Sequence, residues 1–135
     1  MFSTVLLLAL RLATSTTPQP IFTPDAFVMD YGTIEYNADG YRELYYTNTG
    51  NAPLVLSVKS SCGCLVPYYP KEPTLPGKRD KIGARYDTRR AGIFQKTLTV
   101  TTNESEEGKY HVIQIKGTVK AAPSPADLSV PTESR

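Results

Sequence analysis

The 135-residue chain has no tryptophan, a single histidine, two cysteines and two methionines. Each shortage narrows the function. The lone histidine, His111, leaves Ser-His or Cys-His catalysis dependent on one residue that would have to meet its nucleophile across the fold. Two cysteines leave a structural zinc site half empty. With no tryptophan, the nine tyrosines must fill much of the aromatic core. An excess of one charge is also missing: fifteen Lys plus Arg face thirteen Asp plus Glu, and no run of like charge would track a phosphate backbone or an anionic membrane. Nucleic acid is therefore not an expected partner. No stretch sustains a helical period, and no internal repeat is present.

What is present is punctuation and alternation. Eleven prolines and nine glycines, among many Thr, Val, Tyr and Ile, favour short strands joined by turns. In Tyr41-Arg42-Glu43-Leu44-Tyr45-Tyr46 a period of two puts Leu44 and Tyr46 on one face and Glu43 and Tyr45 on the other. The same period turns Leu54, Leu56 and Val58 inward, then Ile82, Ala84 and Tyr86, then Phe94, Leu98 and Val100, and finally Ile113, Ile115 and Val119. An early pair of runs at Ile21-Phe22 and Phe27-Val28-Met29 precedes them. Asn37-Ala38-Asp39-Gly40, Asn48-Thr49-Gly50-Asn51, Pro76-Gly77, Arg90-Ala91-Gly92 and Glu106-Glu107-Gly108 separate the runs at the spacing of an antiparallel sandwich. The expectation is an all-β, immunoglobulin-like antiparallel sandwich of about seven strands over residues 21–121.

The flanks read differently. Residues 1–17 carry an apolar run, Val5 to Leu10, of signal-peptide length, too short to span a bilayer as a mature helix. Residues 122–135 are rich in Pro and Ser and read as a disordered tail. Export to the periplasm or the cell exterior follows as the expected localisation.

Most polar motifs have structural readings. Asn48-Thr49-Gly50 is a turn, because Asn48 can bond neighbouring backbone and Gly50 tolerates positive φ. No two carboxylates sit at a spacing that forces them together for acid/base work. The pattern does not decide which way His111 faces. Among the tyrosines, Tyr46 and Tyr86 share the inward phase, while Tyr45, Tyr68 and Tyr69 are candidates for a partner surface, since tyrosine supplies contact area at low entropic cost.

Cys62-Gly63-Cys64 is the one chemically loaded tripeptide. On a flat strand its Cα atoms would lie about 6.6 Å apart, at the upper edge of the roughly 4.4 to 6.8 Å that a disulfide accepts, and a kink at Gly63 would help. Two small thiols packed at a strand end, or a local bridge, are favoured. A two-thiolate copper(I) site and thiol-redox exchange are the alternatives, weakened by the lack of further ligands and of an activating base nearer than Lys59.

Taken in order, Asp30-Tyr31-Gly32-Thr33-Ile34, Thr47-Asn48-Thr49-Gly50-Asn51-Ala52-Pro53-Leu54, Ser61-Cys62-Gly63-Cys64, Pro70-Lys71-Glu72-Pro73, Tyr86-Asp87-Thr88, Gly92-Ile93-Phe94-Gln95-Lys96 and Ile115-Lys116-Gly117 resemble the bacterial family known as domain of unknown function 1573. The resemblance implies an immunoglobulin-like sandwich related to hydin-type and major-sperm-protein-type domains, exported and without an established activity. Leu65 stands after the second cysteine where that family commonly has Thr, so chemistry using that hydroxyl is absent. The expected function is a non-catalytic binding or scaffolding module, without cofactor, offering loops and sheet edges to another envelope or secreted protein.

Overall fold

The computed structural model describes residues 17–124, so all but the last residue of the expected signal segment and most of the expected tail lie outside the described residues. Eight strands follow in order: β1 (Phe22–Pro24), β2 (Val28–Ile34), β3 (Tyr41–Asn48), β4 (Leu56–Ser60), β5 (Leu65–Tyr68), β6 (Arg79–Tyr86), β7 (Gly92–Thr102) and β8 (Tyr110–Val119). They form two four-stranded sheets, β1-β3-β6-β5 and β2-β8-β7-β4. The chain is an all-β sandwich, as its alternation implies. β5 is the strand absent from the inward-facing runs, because Val66 and Pro67 break the apolar period there.

The first run divides between the sheets. β1 pairs antiparallel with β3, and β2 then crosses over to lie parallel to β8, the one parallel pairing in the named strands. Pro24 suits the end of β1: the bonds Thr49 N–H to Ile21 O and Asp25 N–H to Tyr45 O place the ladder groups on residues 21 and 25, so position 24 needs no donor toward β3.

Inward side chains of both sheets meet in one core. Tyr46, Ile82 and Ala84 from one sheet and Leu98, Val100, Ile113 and Ile115 from the other are completely buried. Tyr86 stacks on Phe94 at 3.8 Å between ring centroids, and Tyr31 meets Phe94 edge-on at 5.5 Å. Buried Tyr31 donates its hydroxyl hydrogen to Ala84 O at 2.8 Å, which satisfies the group burial would otherwise strand.

Asn48 closes the sandwich at one end. Completely buried, it donates from Nδ2 to Ala52 O and Thr74 O at 2.8 and 2.9 Å. Its Oδ1 accepts the amides of Ile21 and Gly50 at 3.2 and 3.0 Å. The Asn-Thr-Gly turn is thus structural, and its asparagine reaches three other segments. His111 faces inward beside Phe22, with ring centroids 4.8 Å apart, and its Nε2 lies 2.7 Å from Glu104 Oε1.

Candidate functional site

Two places carry chemistry that the core does not explain. The first is the outer face of the β1-β3-β6-β5 sheet. The period that buries Leu44 and Tyr46 turns Tyr41, Glu43 and Tyr45 outward on β3, and the pairing sets them opposite Arg85, Gly83 and Lys81 of β6. On the far side of β6, β5 brings Tyr68 opposite Gly83.

Glu43 organises this face. Its Oε1 accepts from Tyr41 Oη at 3.0 Å and lies 2.8 Å from Lys81 Nζ, while its Oε2 accepts from Tyr45 Oη at 3.3 Å. The Lys81 ammonium, and after it the Tyr41 hydroxyl, holds the Glu43 carboxyl below the usual carboxylate range. The same pairing raises Lys81. Arg85 lies over the Tyr41 ring at 5.2 Å and Arg79 over the Tyr45 ring at 5.6 Å. Arg79 also grips Asp25 with two hydrogen bonds of 3.1 and 2.8 Å. Tyr41 and Tyr68 meet edge to face at 5.8 Å, beside a cavity of about 240 Å³ lined by both rings, Tyr69, Pro70, Asp80, Lys81 and Gly83.

The three tyrosines expected at a partner surface separate here. Tyr45 and Tyr68 are 43% and 46% exposed and belong to this face. Tyr69 is partly buried against the core cluster, with Lys71 Nζ 3.9 Å above its ring. Tyr41, one of the chain's tyrosines that could contribute to a binding surface, completes the face together with Gly83. Their signal was available: Tyr41-x-Glu43-x-Tyr45 is a period of two, and a glycine inside a strand marks close approach of another group.

The edges of this sheet are poorly equipped to take an added strand. Asp87 N–H donates to Cys64 O, so residues 64 and 66 face β6 while 65 and 67 face the open edge. Leu65 N–H is already bonded to Cys62 O, and Pro67 has no N–H. Pro24 removes a donor from the open edge of β1 in the same way.

The second place is the turn between β4 and β5. The inward phase of β4 does not continue through it as an extended chain: the backbone bends at residues 61–64, Cys62 and Cys64 have Cα atoms 5.2 Å apart, and their sulfurs are joined as a disulfide. Cys64 is buried at the core margin and Cys62 is half-buried. Among the described residues no cluster of three or more His, Cys, Asp or Glu could hold a metal ion.

A family model described as a protein of unknown function (DUF1573) matches residues 22–119. The chain belongs to this family. The matched span runs from β1 to the end of β8, the whole sandwich with both candidate places in it. No curated protein matches the chain in sequence. Among solved structures, it is similar to the ASH/PapD-like domain 7 of human CEP192, with a TM-score of 0.63 and 12% identity over 91% of this chain and 99% of that one. A Porphyromonas gingivalis W83 protein of unknown function is similar at a TM-score of 0.62 and 16% identity, over 80% of this chain and 50% of that one. The CsuC-CsuE chaperone-tip adhesion subunit complex of Acinetobacter baumannii gives 0.56 and 12%, over 78% and 60%. At such identities these neighbours speak to the fold of the family and leave its site to be argued from side chains.

Proposed function

We propose that the chain is a non-catalytic, exported protein-binding module that presents the outer face of the β1-β3-β6-β5 sheet to another envelope or secreted protein. One observation carries the reading: Glu43 tethers Tyr41, Tyr45 and Lys81 together on an exposed strand face. Tyrosine and arginine are the residues most enriched where binding energy concentrates, and side chains already held in place lose little freedom on docking. The outer face of the other sheet sets Thr97 opposite Gln114, Thr99 opposite Val112 and Thr101 opposite Tyr110, an exposed tyrosine with no second aromatic ring against it among the described residues. Two further features support export: the apolar run near the start of the chain and a disulfide, a bond that persists in oxidising compartments. The periplasmic chaperone SfaE, a structural neighbour at a TM-score of 0.51 and 12% identity, is compatible with a protein-binding role in that compartment.

The test is a quantitative pull-down from native envelope extract with three tagged proteins: the wild type, Tyr45→Ser/Tyr68→Ser, and Val112→Ser on the opposite sheet. A partner of this face is retained by the wild type and by Val112→Ser and weakened at least about tenfold by the double variant, as expected when two anchoring tyrosines are lost. A partner held equally by all three, with unchanged melting, refutes the assignment of the face.

A further inference from the structure

The disulfide encloses a single residue, so it fastens no second segment to the sheet. The turn is held without it. Ser60 Oγ donates to Cys62 O at 2.6 Å, Cys62 N–H donates to Ser60 Oγ at 3.1 Å, Leu65 N–H donates to Cys62 O, and Ser61 N–H donates to Thr97 O. Gly63 is exposed, with no heavy atom within 4 Å of where a side chain would begin. Beside it opens a cavity of about 370 Å³ whose wall includes Gly63, Cys64, Val66, Arg85 and Arg89. Cys64 is 5% exposed and is among the residues that line this cavity.

The two sulfurs have different surroundings. Cys64 N–H donates to Cys62 Sγ at 3.1 Å, a contact that strengthens if that sulfur becomes a thiolate. β4 and β7 pair Ser60 with Leu98, and beyond that pair Ser61 N–H donates to Thr97 O, so Lys96 is the next residue of β7 toward the turn that holds Cys62. Lys96 shares the inward phase of Phe94 and Leu98 and is half-buried, and its side chain has no hydrogen bond or ion pair among the described residues. Along the sequence the first base is Lys59; the β4–β7 register brings Lys96 to the turn's end of the ladder.

We infer that Cys62 and Cys64 form a thiol–disulfide exchange site whose substrate is a thiolate, borne by a small molecule or by a protein. This adds a stoichiometric redox reaction to the binding role and rests on different residues. The incoming thiolate attacks Cys64 Sγ from the cavity; a bond forms between the two sulfurs, the Cys62–Cys64 bond breaks, and Cys62 leaves as the thiolate held by Cys64 N–H and Lys96. A second thiolate of the same class attacks the incoming sulfur and releases Cys64. Two donor thiols are oxidised to one disulfide, and the two cysteines gain the electron pair and two protons.

In the experiment, the oxidised full chain is incubated under native conditions with reduced glutathione or with reduced, unfolded ribonuclease, quenched with an alkylating agent and weighed. Reduction in native buffer at a rate within about tenfold of a free Cys-Gly-Cys disulfide peptide is expected, with the melting transition retained. Reduction by glutathione alone assigns a small thiol as donor; reduction by ribonuclease assigns a protein. Lys96→Gln slows the reaction severalfold and Lys96→Arg restores it. Cys62→Ser forms a native mixed disulfide at Cys64 with oxidised glutathione. Tyr45→Ser/Tyr68→Ser reacts at the wild-type rate, which separates this site from the proposed binding face. Reduction of the wild type only in denaturant, or rates indifferent to Lys96, overturns the inference.

Discussion

The ring of Tyr41 occupies the space that a side chain on Gly83 would need: a Cβ there would come within 2.7 Å of Tyr41 Cε2. Gly83 lies opposite Glu43 on one side and Tyr68 on the other, so the missing side chain lets a tyrosine fold across the middle of the sheet. From there Tyr41 reaches Glu43 with its hydroxyl and Tyr68 with its edge.

Gly83→Ala therefore expels the Tyr41 ring without emptying the core. The obstructing atoms belong to the far end of a side chain, so the expected stability change is about 1 kcal/mol or less. Partner binding should fall as strongly as in Tyr41→Ala. Urea unfolding together with the pull-down separates the two effects; a large loss of stability would show that Tyr41 supports the fold and not only the face.

Asn48→Ala removes four hydrogen bonds at once, one buried and three part-buried, and takes a partner from the amides of Ile21 and Gly50 and the carbonyl of Ala52, while Thr74 O keeps the Leu54 amide. A lost hydrogen bond costs about 0.5 to 1.5 kcal/mol net, and more where the group left behind is shielded from water, so a loss of about 2 to 3 kcal/mol is expected in chemical unfolding. Asn48→Asp keeps the acceptor and loses both donors, and it should fall between the alanine variant and the wild type.

Acid should weaken the protein through the outer face. Glu43 is held below its ordinary 4.5 by Lys81, and Asp25 and Asp87 are held below 3.8 by Arg79 and Arg89. A carboxyl depressed by folding contributes stability above its unfolded value and loses that contribution as pH falls through the folded value. Stability should hold down to about pH 4.5 and decline below it, and Glu43→Gln should flatten the upper part of that decline. Asp25 is exposed and Glu43 and Asp87 are only partly covered, so added salt should weaken the effect.

Alkali acts on the core instead. Burial pushes the Tyr31 hydroxyl up to about 12 from its ordinary 10.0. The neutral phenol is the form that folding favours, so its contribution is fully present below pH 10 and is lost as pH rises through the folded value. Tyr31→Phe should cost about 1 to 2 kcal/mol at neutral pH, because the buried bond from the hydroxyl to Ala84 O is lost. It should also reduce the slope of stability between pH 10 and 12, measured by urea unfolding across that range.

Period-two runs alone specify most of the core, because burial of one face is imposed on every strand that crosses a sandwich: Leu44, Tyr46, Leu56, Val58, Ile82, Leu98 and Ile113 all face inward. β5 escaped that reading because Pro67 interrupts its pattern, and the parallel seating of β2 on β8 depends on a crossover that no local spacing encodes. The site was half legible. Tyr45 and Tyr68 can be placed outward by phase, but Tyr41 joins them only through Gly83 on a strand about forty residues away, a contact fixed by register. Lys96 enters the inference about Cys62 by the same route, through the β4–β7 register that brings it toward the turn.

Site-specific photo-crosslinking in the intact envelope tests the binding face most directly. A benzophenone side chain is placed at position 68, on the aromatic face, or at position 112, at a comparably exposed site on the opposite sheet. Illumination should join position 68 to one discrete protein, in a band that Tyr45→Ser abolishes, while position 112 gives none. Equal crosslinking from both positions, or a band at 68 that survives Tyr45→Ser, would contradict the account.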